Sequence, residues 1–343
     1  MKHNIYTSQH FTLLFVMFCV FIFSSCKKKE IGPQLPHENP IEALQTVIIG
    51  NEGNYGWGNA SLTLYNPIEH TTSQHNQISG VTIGDVVQSV LIEEDDIFVV
   101  VNNSGKVDRL GKNFIHKAQI PGMNSPRYMA IYNQKGFVTE LYSNVIYVIN
   151  LATNTISGQI SVSGHTEDII SLGNKLYVAQ PNKHQLLVIN PLTKEVEDSV
   201  AVQNAPSSIV VDKNNKIWVK CSNALVRINP VNLQIEFTLT FPQGSNLFRL
   251  AISPSKEDLY YFLNGDLYKQ PISATIAPSV FFVSAQGKNF YGLGVNPYSG
   301  DVYVADAQDY VQQGVVYRYD SLGNYQFQFQ AGIIPQAFGF IQK

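Results

Sequence analysis

The sequence predicts an all-β fold, a seven-bladed β-propeller closed by pairing of N- and C-terminal strands in one blade. Three observations predict it: a strand motif recurs about every forty residues, the repeating region divides evenly by seven, and helical periodicity is absent after the amino-terminal apolar stretch. Composition agrees, since 44% of the 343 residues are hydrophobic, only 14% are charged, and Tyr and Phe number 18 and 19. Such a chain favours strands over long charged helices.

The repeat is marked by an aromatic residue inside a short apolar run. The marked positions are Phe98, Phe137, Tyr177, Trp218, Tyr260 and Tyr303, at intervals of 39, 40, 41, 42 and 43 residues. A polar turn and another apolar run precede each one, which predicts a hairpin, and a third strand and a more polar fourth strand follow. Four antiparallel strands per repeat are typical of a propeller blade.

The number of blades follows from the two ends of the repeating region. Residues 45–343 number 299, and one seventh of that length is about 43, which matches the repeat. The segment 46–51 resembles a second strand, so the first blade lacks its innermost strand, and the segment 335–341 resembles the missing one. Their pairing closes the ring and removes open sheet edges. Six or eight blades are the alternatives.

The amino terminus resembles a bacterial lipoprotein signal peptide. Residues 11–23 are almost wholly apolar, too few for the ~20 residues that span a bilayer, and Ser24-Ser25-Cys26 resembles a lipobox. We therefore expect a signal peptide over 1–25, a lipid anchor at Cys26, a flexible tether over 26–44 and the propeller over 45–343. Cys221, in an apolar run, is predicted to be a buried small hydrophobe.

Charge and motif patterns argue against several classes of function. The formal charge is −3 and no five like charges are consecutive, so we expect no nucleic-acid partner. G-x-S-x-G, H-E-x-x-H, C-x-x-C and P-loop patterns are absent, which predicts no enzymatic activity and no catalytic residue. The groups His165-Glu167-Asp168 and Asp301-Asp306-Asp309 lack recognised ligand spacing, so no metal site is expected.

Blade topology predicts which residues share one rim. The loop after each second strand and the start of each innermost strand lie on the same face of a propeller. The predicted ligand-binding residues there are Asn51, Glu52, Asn54, Tyr55, Trp57, Asn102, Arg127, Tyr142, His165, Gln180, Lys220, Phe248, Arg249, Tyr291, Asp306 and Tyr310, with Gln336 and Phe338 closing the ring. Aromatic rings and amides together suit a large, mostly neutral ligand with an apolar face and a polar fringe. The alternative is that any one of them only lines the channel.

Several of these residues lie in segments that resemble a known protein family. It is carried by the segments 51–56 (NEGNYG), 60–65 (ASLTLY), 291–292 (YG), 301–307 (DVYVADA), 314–320 (GVVYRYD) and 332–335 (GIIP). The chain resembles the YncE-like, DUF5074-type surface lipoproteins of Bacteroidetes, among them the BtuG-like proteins that bind vitamin B12. The resemblance implies a corrinoid (cobalamin) bound as cargo and not as a catalytic cofactor. It also implies delivery to a TonB-dependent transporter, and an outer-membrane location, lipid-anchored and facing the cell exterior.

Two other functions remain open from the sequence. A glycan- or peptide-binding accessory lipoprotein of another TonB-dependent uptake system would use the same stacking side chains, Tyr55, Trp57, Tyr142 and Tyr291. A lyase or lactonase would need a general base and a charge stabiliser to converge in the channel, and no such constellation is recognisable. The basic run Lys27-Lys28-Lys29 leaves a periplasm-facing anchor as an alternative.

Overall fold

The computed structural model describes residues 45–342. The predictions for the signal peptide (1–25), the lipid anchor at Cys26 and the tether (26–44) lie outside the described residues. Within them, seven blades form a ring, which confirms the predicted all-β, seven-bladed propeller. Helical structure in this part of the chain consists of two three-residue 3₁₀ turns, Asn102–Ser104 and Pro181–Lys183. Between residues 45 and 342 no helix is long and apolar enough to cross a membrane.

The first three blades follow one another along the chain. Blade 1 contains β1 (Gln45–Asn51), β2 (Ser61–Asn66) and β3 (Thr71–His75), and a hairpin of β4 (Gln77–Ile78) and β5 (Val81–Thr82) leads on. Blade 2 contains β6 (Val87–Glu93), β7 (Asp96–Val101), β8 (Lys106–Gly111) and β9 (His116–Pro121). Blade 3 contains β10 (Pro126–Tyr132), β11 (Lys135–Glu140), β12 (Val145–Asn150) and β13 (Thr155–Ser161).

The remaining blades repeat the same order. Blade 4 contains β14 (Ile169–Leu172), β15 (Lys175–Gln180), β16 (Gln185–Asn190) and β17 (Glu195–Ala201). Blade 5 contains β18 (Ser208–Val211), β19 (Ile217–Lys220), β20 (Ala224–Ile228) and β21 (Ile235–Thr240). Blade 6 contains β22 (Leu247–Ile252), β23 (Asp258–Leu263) and β24 (Asp266–Pro271). Blade 7 contains β25 (Phe290–Val295), β26 (Val302–Asp306), β27 (Gln313–Tyr319) and β28 (Tyr325–Ile333), and β29 (Pro335–Gln342) follows.

Ring closure occurs in blade 1, as predicted. The order of its sheet is β29-β1-β2-β3, and β29 pairs antiparallel with β1 from Gln45↔Gln342 to Asn51↔Pro335. The innermost strand of this blade therefore comes from the carboxyl-terminal segment. Both strands gain a hydrogen-bonded neighbour at an edge that would otherwise be open.

Blade 6 departs from the predicted four strands. Its sheet has three, and the outer position holds a single bridge between Leu267 and Val283. The segment after β24 carries Pro278 among Ser and Ala residues. Proline has no N–H to donate to a ladder, so a regular fourth strand is disfavoured there.

The core consists of seven apolar clusters, one between each pair of neighbouring blades of the described chain. All six aromatic repeat markers are buried in them or beside them. Second strands pack against neighbouring blades on both faces, so their sequences are nearly continuous apolar runs. Fourth strands are mostly exposed, and in β17 only Val200 is buried. Cys221 is fully buried between blades 4 and 5, which confirms the prediction for it, and burial raises the pKa of its thiol to about 12.

Candidate functional site

The second strands end, and the innermost strands begin, on one face of the ring, which we call the mouth face. The innermost strands surround a cavity of about 190 Å³ at the mouth end of the central channel. The residues lining it are Gln88, Ser89, Val90, Tyr128, Asp168, Ser208, Arg249, Leu250, Leu293, Gln336, Ala337 and Phe338. Every blade except the seventh contributes a polar side chain to this wall.

Arg127 is held in an ion pair on one side of the channel. Its Nε and Nη2 donate to Oε2 of Glu167 at 3.1 and 3.0 Å, and its Nη1 donates to Gln88. Its guanidinium carbon lies 5.9 Å from the ring centre of Tyr128. The charge of Arg127 is therefore balanced by a carboxylate from the next blade.

Arg249 lies across the channel and is held differently. Its Nε donates to the backbone carbonyl of Tyr291 at 2.9 Å and its Nη2 to the side-chain oxygen of Gln336 at 2.6 Å. Its guanidinium carbon lies 4.5 Å from the ring centre of Phe248 and 5.2 Å from that of Tyr291. The backbone φ of Arg249 is +54°, a left-handed value that is strained for an arginine, at a break in the β22–β23 register. The hydrogen bonds to neutral acceptors and the two ring contacts hold the Arg249 cation at the channel wall despite this strain.

Glu52, directly after β1 in blade 1, connects its loop to the same side of the channel wall. Its carboxylate accepts a hydrogen bond from the Tyr291 hydroxyl at 3.0 Å, and its backbone N–H donates to Ile334 next to the closing strand. Burial raises the pKa of Glu52, and the Tyr291 hydrogen bond and the charge of Arg249 oppose this. On its outer side the Tyr291 ring contacts the Tyr310 ring edge to face, with 5.7 Å between the two ring centres.

Two further ionisable groups lie near the channel, of which Asp168 is half-buried and Lys220 is buried. The Asp168 carboxylate accepts the backbone N–H groups of Ile169 and Ile209 at 2.9 and 2.7 Å, and burial raises its pKa to about 7. Lys220 ends β19 with 8% of its surface exposed, and burial lowers its pKa to about 8. The charges of Arg249 and Glu167 act on Lys220, so these groups share one electrostatic environment.

Five polar residues lie at the ends of second strands, and some of them were predicted to bind a ligand. Their side chains stabilise the framework of the protein instead. They are Asn51, Asn102, Glu140, Gln180 and Asp306, and at most 6% of each is exposed. Gln180, for example, donates to the carbonyl of Ser163 at 2.9 Å and accepts from Gln185 at 2.6 Å. We call these five the strand-end residues. The structure places them at the mouth face but engages their side chains in hydrogen bonds that hold the loops.

The predicted aromatic residues of the outer loops are exposed. Tyr55, Trp57 and Tyr142 are 74%, 78% and 74% exposed, and Tyr310 is 44% exposed. We call these four the loop-tip aromatics. All four residues lie in loops between a second and a third strand, so they project from the mouth face at blades 1, 3 and 7. Asn54 lies among them and donates to the Tyr310 carbonyl at 3.0 Å.

The other side of the mouth face is polar. A groove of about 430 Å³, which we call the amide groove, is lined by Gln203, Asn204, Ser222, Asn223, Gln243, Gly244 and Ser245. His165 is half-buried in the loop before β14. The mouth face therefore has an aromatic side on blades 7, 1 and 3 and an amide side on blades 5 and 6. Among residues 45–342, no three His, Cys, Asp or Glu side chains are grouped so as to hold a metal ion.

Several channel residues were not among the predicted ligand-binding residues. Gln88, Glu167 and Ser208 were missed, although Arg127 was included. All four precede an aromatic repeat marker by ten residues, at Phe98, Tyr177, Trp218 and Phe137 respectively. This fixed offset is the signal that would have found them.

Solved structures share this architecture at low sequence identity. The periplasmic gluconolactonase PpgL of Pseudomonas aeruginosa matches with TM-score 0.69 and 13% identity, over 87% of this chain and 99% of that one. A Lactobacillus plantarum protein matches with TM-score 0.68 and 12% identity, over 87% and 100%. Apo AztD from Citrobacter koseri matches with TM-score 0.60 and 9% identity, over 87% and 98%. Identities this low show a shared propeller fold and nothing finer.

Sequence comparison with protein families is more specific. Among curated proteins, none matches the chain significantly. The family described as a domain of unknown function, DUF5074, matches residues 45–331, which is well over half of the chain and nearly all of the propeller. The chain therefore belongs to the DUF5074 family.

Proposed function

We propose that this protein is a lipid-anchored carrier that captures a corrinoid at its mouth face and passes it, unchanged, to a TonB-dependent transporter. The observation that carries the proposal is the division of the mouth face into loop-tip aromatics on one side and the amide groove on the other. A corrin ring has an apolar face that aromatic rings can cover. Its amide arms can pair with the amides across the mouth.

The size of the cavity supports a ligand that lies across the mouth. Pockets for drug-sized ligands measure ~300–1,000 Å³, and the channel cavity measures about 190 Å³. A macrocycle is therefore too large for the channel and would rest on the loops above it. The exposed rings of Tyr55, Trp57 and Tyr142 contribute little to the folded protein itself, since they are mostly in solvent.

Isothermal titration calorimetry of the full chain in detergent micelles with cyanocobalamin tests the proposal. We expect saturable binding, and a Trp57→Ala variant should bind about tenfold more weakly because one stacking ring is lost. Tyr298→Ala is the matched control, since Tyr298 is 48% exposed on the opposite face. The bound corrinoid should be recovered with an unchanged absorption spectrum. A flat titration of the wild-type protein would contradict corrinoid capture.

The amide groove favours a second candidate, a glycan-binding accessory protein. Its wall presents amides and hydroxyls, which suit the donors and acceptors of sugar hydroxyl groups. Oligosaccharide binding that is weakened in Gln203→Ala and Gln243→Ala, without any affinity for cyanocobalamin, would favour this candidate over corrinoid capture.

A further inference from the structure

We propose that a groove on the face opposite the mouth binds a short peptide in which a basic residue is next to an aliphatic one. The groove lies between blades 2 and 3, has a volume of about 570 Å³, and is lined in part by Glu93, Glu94, Arg109, Ile131 and Leu151. We call it the hairpin groove, because the β6–β7 and β10–β11 hairpins contribute to its walls. Its lining residues differ from those of the channel cavity and the amide groove, so the proposal does not depend on corrinoid capture.

The hairpin groove has the size of a site for an organic ligand. Pockets for drug-sized ligands measure ~300–1,000 Å³, and about 570 Å³ lies inside that range. The channel cavity, at about 190 Å³, lies below it. An inorganic ion would leave most of the hairpin groove filled with water.

Part of the groove wall is apolar. Ile131 and Leu151 are half-buried and pack against the apolar cluster between blades 2 and 3, to which Phe98, another lining residue, also belongs. The exposed parts of Ile131 and Leu151 remain in contact with water, and removing apolar surface from water is favourable. An aliphatic side chain of a ligand would cover them.

The charges in the wall favour a cation. Three carboxylates, those of Glu93, Glu94 and Asp96, line the groove together with one guanidinium, that of Arg109. Asp96 is already compensated, because it accepts from Arg109 Nη2 at 2.5 Å and from Lys117 Nζ at 2.6 Å. Glu93 and Glu94 are exposed, and within residues 45–342 neither carboxylate has an ion pair or a hydrogen bond. A basic side chain in the groove would meet these two carboxylates.

Arg109 indicates that the ligand also has an acceptor. Its Nη1 donates to the Leu151 carbonyl at 2.6 Å and to Asn154 Oδ1 at 2.8 Å. Its Nε is buried and has no hydrogen-bond partner in the part of the chain that the structure describes. A buried donor without an acceptor is costly. A carbonyl group of a ligand in the groove would supply one.

A peptide combines the three groups that this wall requires. Its basic side chain would pair with Glu93 and Glu94, its aliphatic side chain would cover Ile131 and Leu151, and its backbone carbonyl would accept from Arg109. A simple amine lacks the carbonyl, and a metal ion lacks both the carbonyl and the apolar group. The groove therefore fits a peptide better than either of them.

Isothermal titration calorimetry of the full chain in detergent micelles with N-acetyl-Leu-Lys-Leu-amide tests the proposal. We expect saturable binding that weakens as salt is added, since part of it is electrostatic. The same peptide with Gln in place of Lys should bind about fivefold more weakly, because it loses its ion pairs with exposed carboxylates. This second peptide also corrects for partition into the micelles.

The double variant Glu93→Gln and Glu94→Gln should likewise bind the Lys peptide about fivefold more weakly. Both side chains are exposed, so the urea unfolding midpoint should not change. Glu195→Gln is the matched control, since it removes an exposed carboxylate from blade 4, outside the groove, and it should bind like the wild type.

Each possible result decides for or against the hairpin groove. The proposal is overturned by a flat titration with the Lys peptide, by equal affinities for the Lys and Gln peptides, or by an unchanged affinity in the double variant. Equally tight binding of hexylamine would assign the groove to simple amines and overturn the peptide assignment. Cyanocobalamin is titrated in parallel into the wild type and the double variant, which should bind it equally. Peptide binding without cyanocobalamin binding would retain the groove and contradict only the corrinoid proposal.

Discussion

The mouth face contains two kinds of residue that sequence position alone does not separate. The strand-end residues are buried and hydrogen-bonded to other parts of the protein, whereas the loop-tip aromatics, only a few positions later in the chain, are largely exposed. Glu140 and Tyr142 are two residues apart, yet 0% of the first and 74% of the second is exposed. A position at the mouth face therefore does not by itself make a side chain accessible to a ligand.

The difference has a simple physical cause. Beside the end of a second strand, the loop that enters the innermost strand of the same blade has backbone N–H groups without ladder partners, and a polar side chain at the strand end supplies acceptors for them. Glu140 accepts the N–H groups of Asn124 and Ser125 at 2.9–3.0 Å. Farther along, the loop leaves the protein surface, and its side chains have only solvent around them.

The largest effect is expected from Glu140→Ala. The buried N–H group of Ser125 and the N–H group of Asn124 lose a charged acceptor, so the free energy of unfolding should fall by about 3 kcal/mol. Urea unfolding measures this, with Tyr142→Ala as the neighbouring control, which should stay within about 0.5 kcal/mol of wild type. Equal losses in the two variants would remove the distinction between the two sets.

Asn51→Ala should come next. The Asn51 amide donates to Ser61 Oγ at 3.1 Å and Thr63 Oγ1 at 3.0 Å, beside the closing strand pair. Loss of these buried bonds should cost about 2 kcal/mol in the same unfolding experiment. Asn204→Ala, which removes an exposed amide from the amide groove, is the control and should leave stability unchanged. A stable Asn51→Ala variant would contradict a framework role.

The loop-tip aromatics should show the reverse pattern. Tyr142→Ala should weaken cyanocobalamin binding about tenfold, or about 1.4 kcal/mol, with an unchanged unfolding midpoint. Calorimetry and urea unfolding on the same preparation measure both quantities. A loss of stability without a loss of affinity would place Tyr142 with the strand-end residues.

The fold was predictable because the sequence repeats. Aromatic markers at nearly constant spacing define the blades, and 335–341 resembles the innermost strands closely enough to predict closure, which the β1–β29 pairing confirms. The irregular outer part of blade 6 was not predicted, because a single proline in a loosely patterned segment decides it. Fourth strands have weak patterns since they are exposed.

The site was predictable only in part. The rim on which Arg127, Arg249 and Tyr291 lie follows from topology, but whether a side chain turns to the channel or back to its own loop depends on hydrogen-bond partners distant in sequence. Gln180, predicted as a ligand-binding residue, is bound to Ser163 and Gln185 instead. Asp168, considered only as a metal ligand, lines the cavity without a metal-binding group around it in the described chain.

Closure by β29 has a consequence for biosynthesis. A ribosome completes β1 about 290 residues before β29, which at ~5–20 residues per second is roughly 15 to 60 s. Throughout that delay β1 has an unpaired inner edge that can pair with other chains. Because Gln336 also belongs to the cavity wall, a nascent or prematurely terminated polypeptide has an incomplete channel. An intact channel wall is thus a property of the finished chain alone.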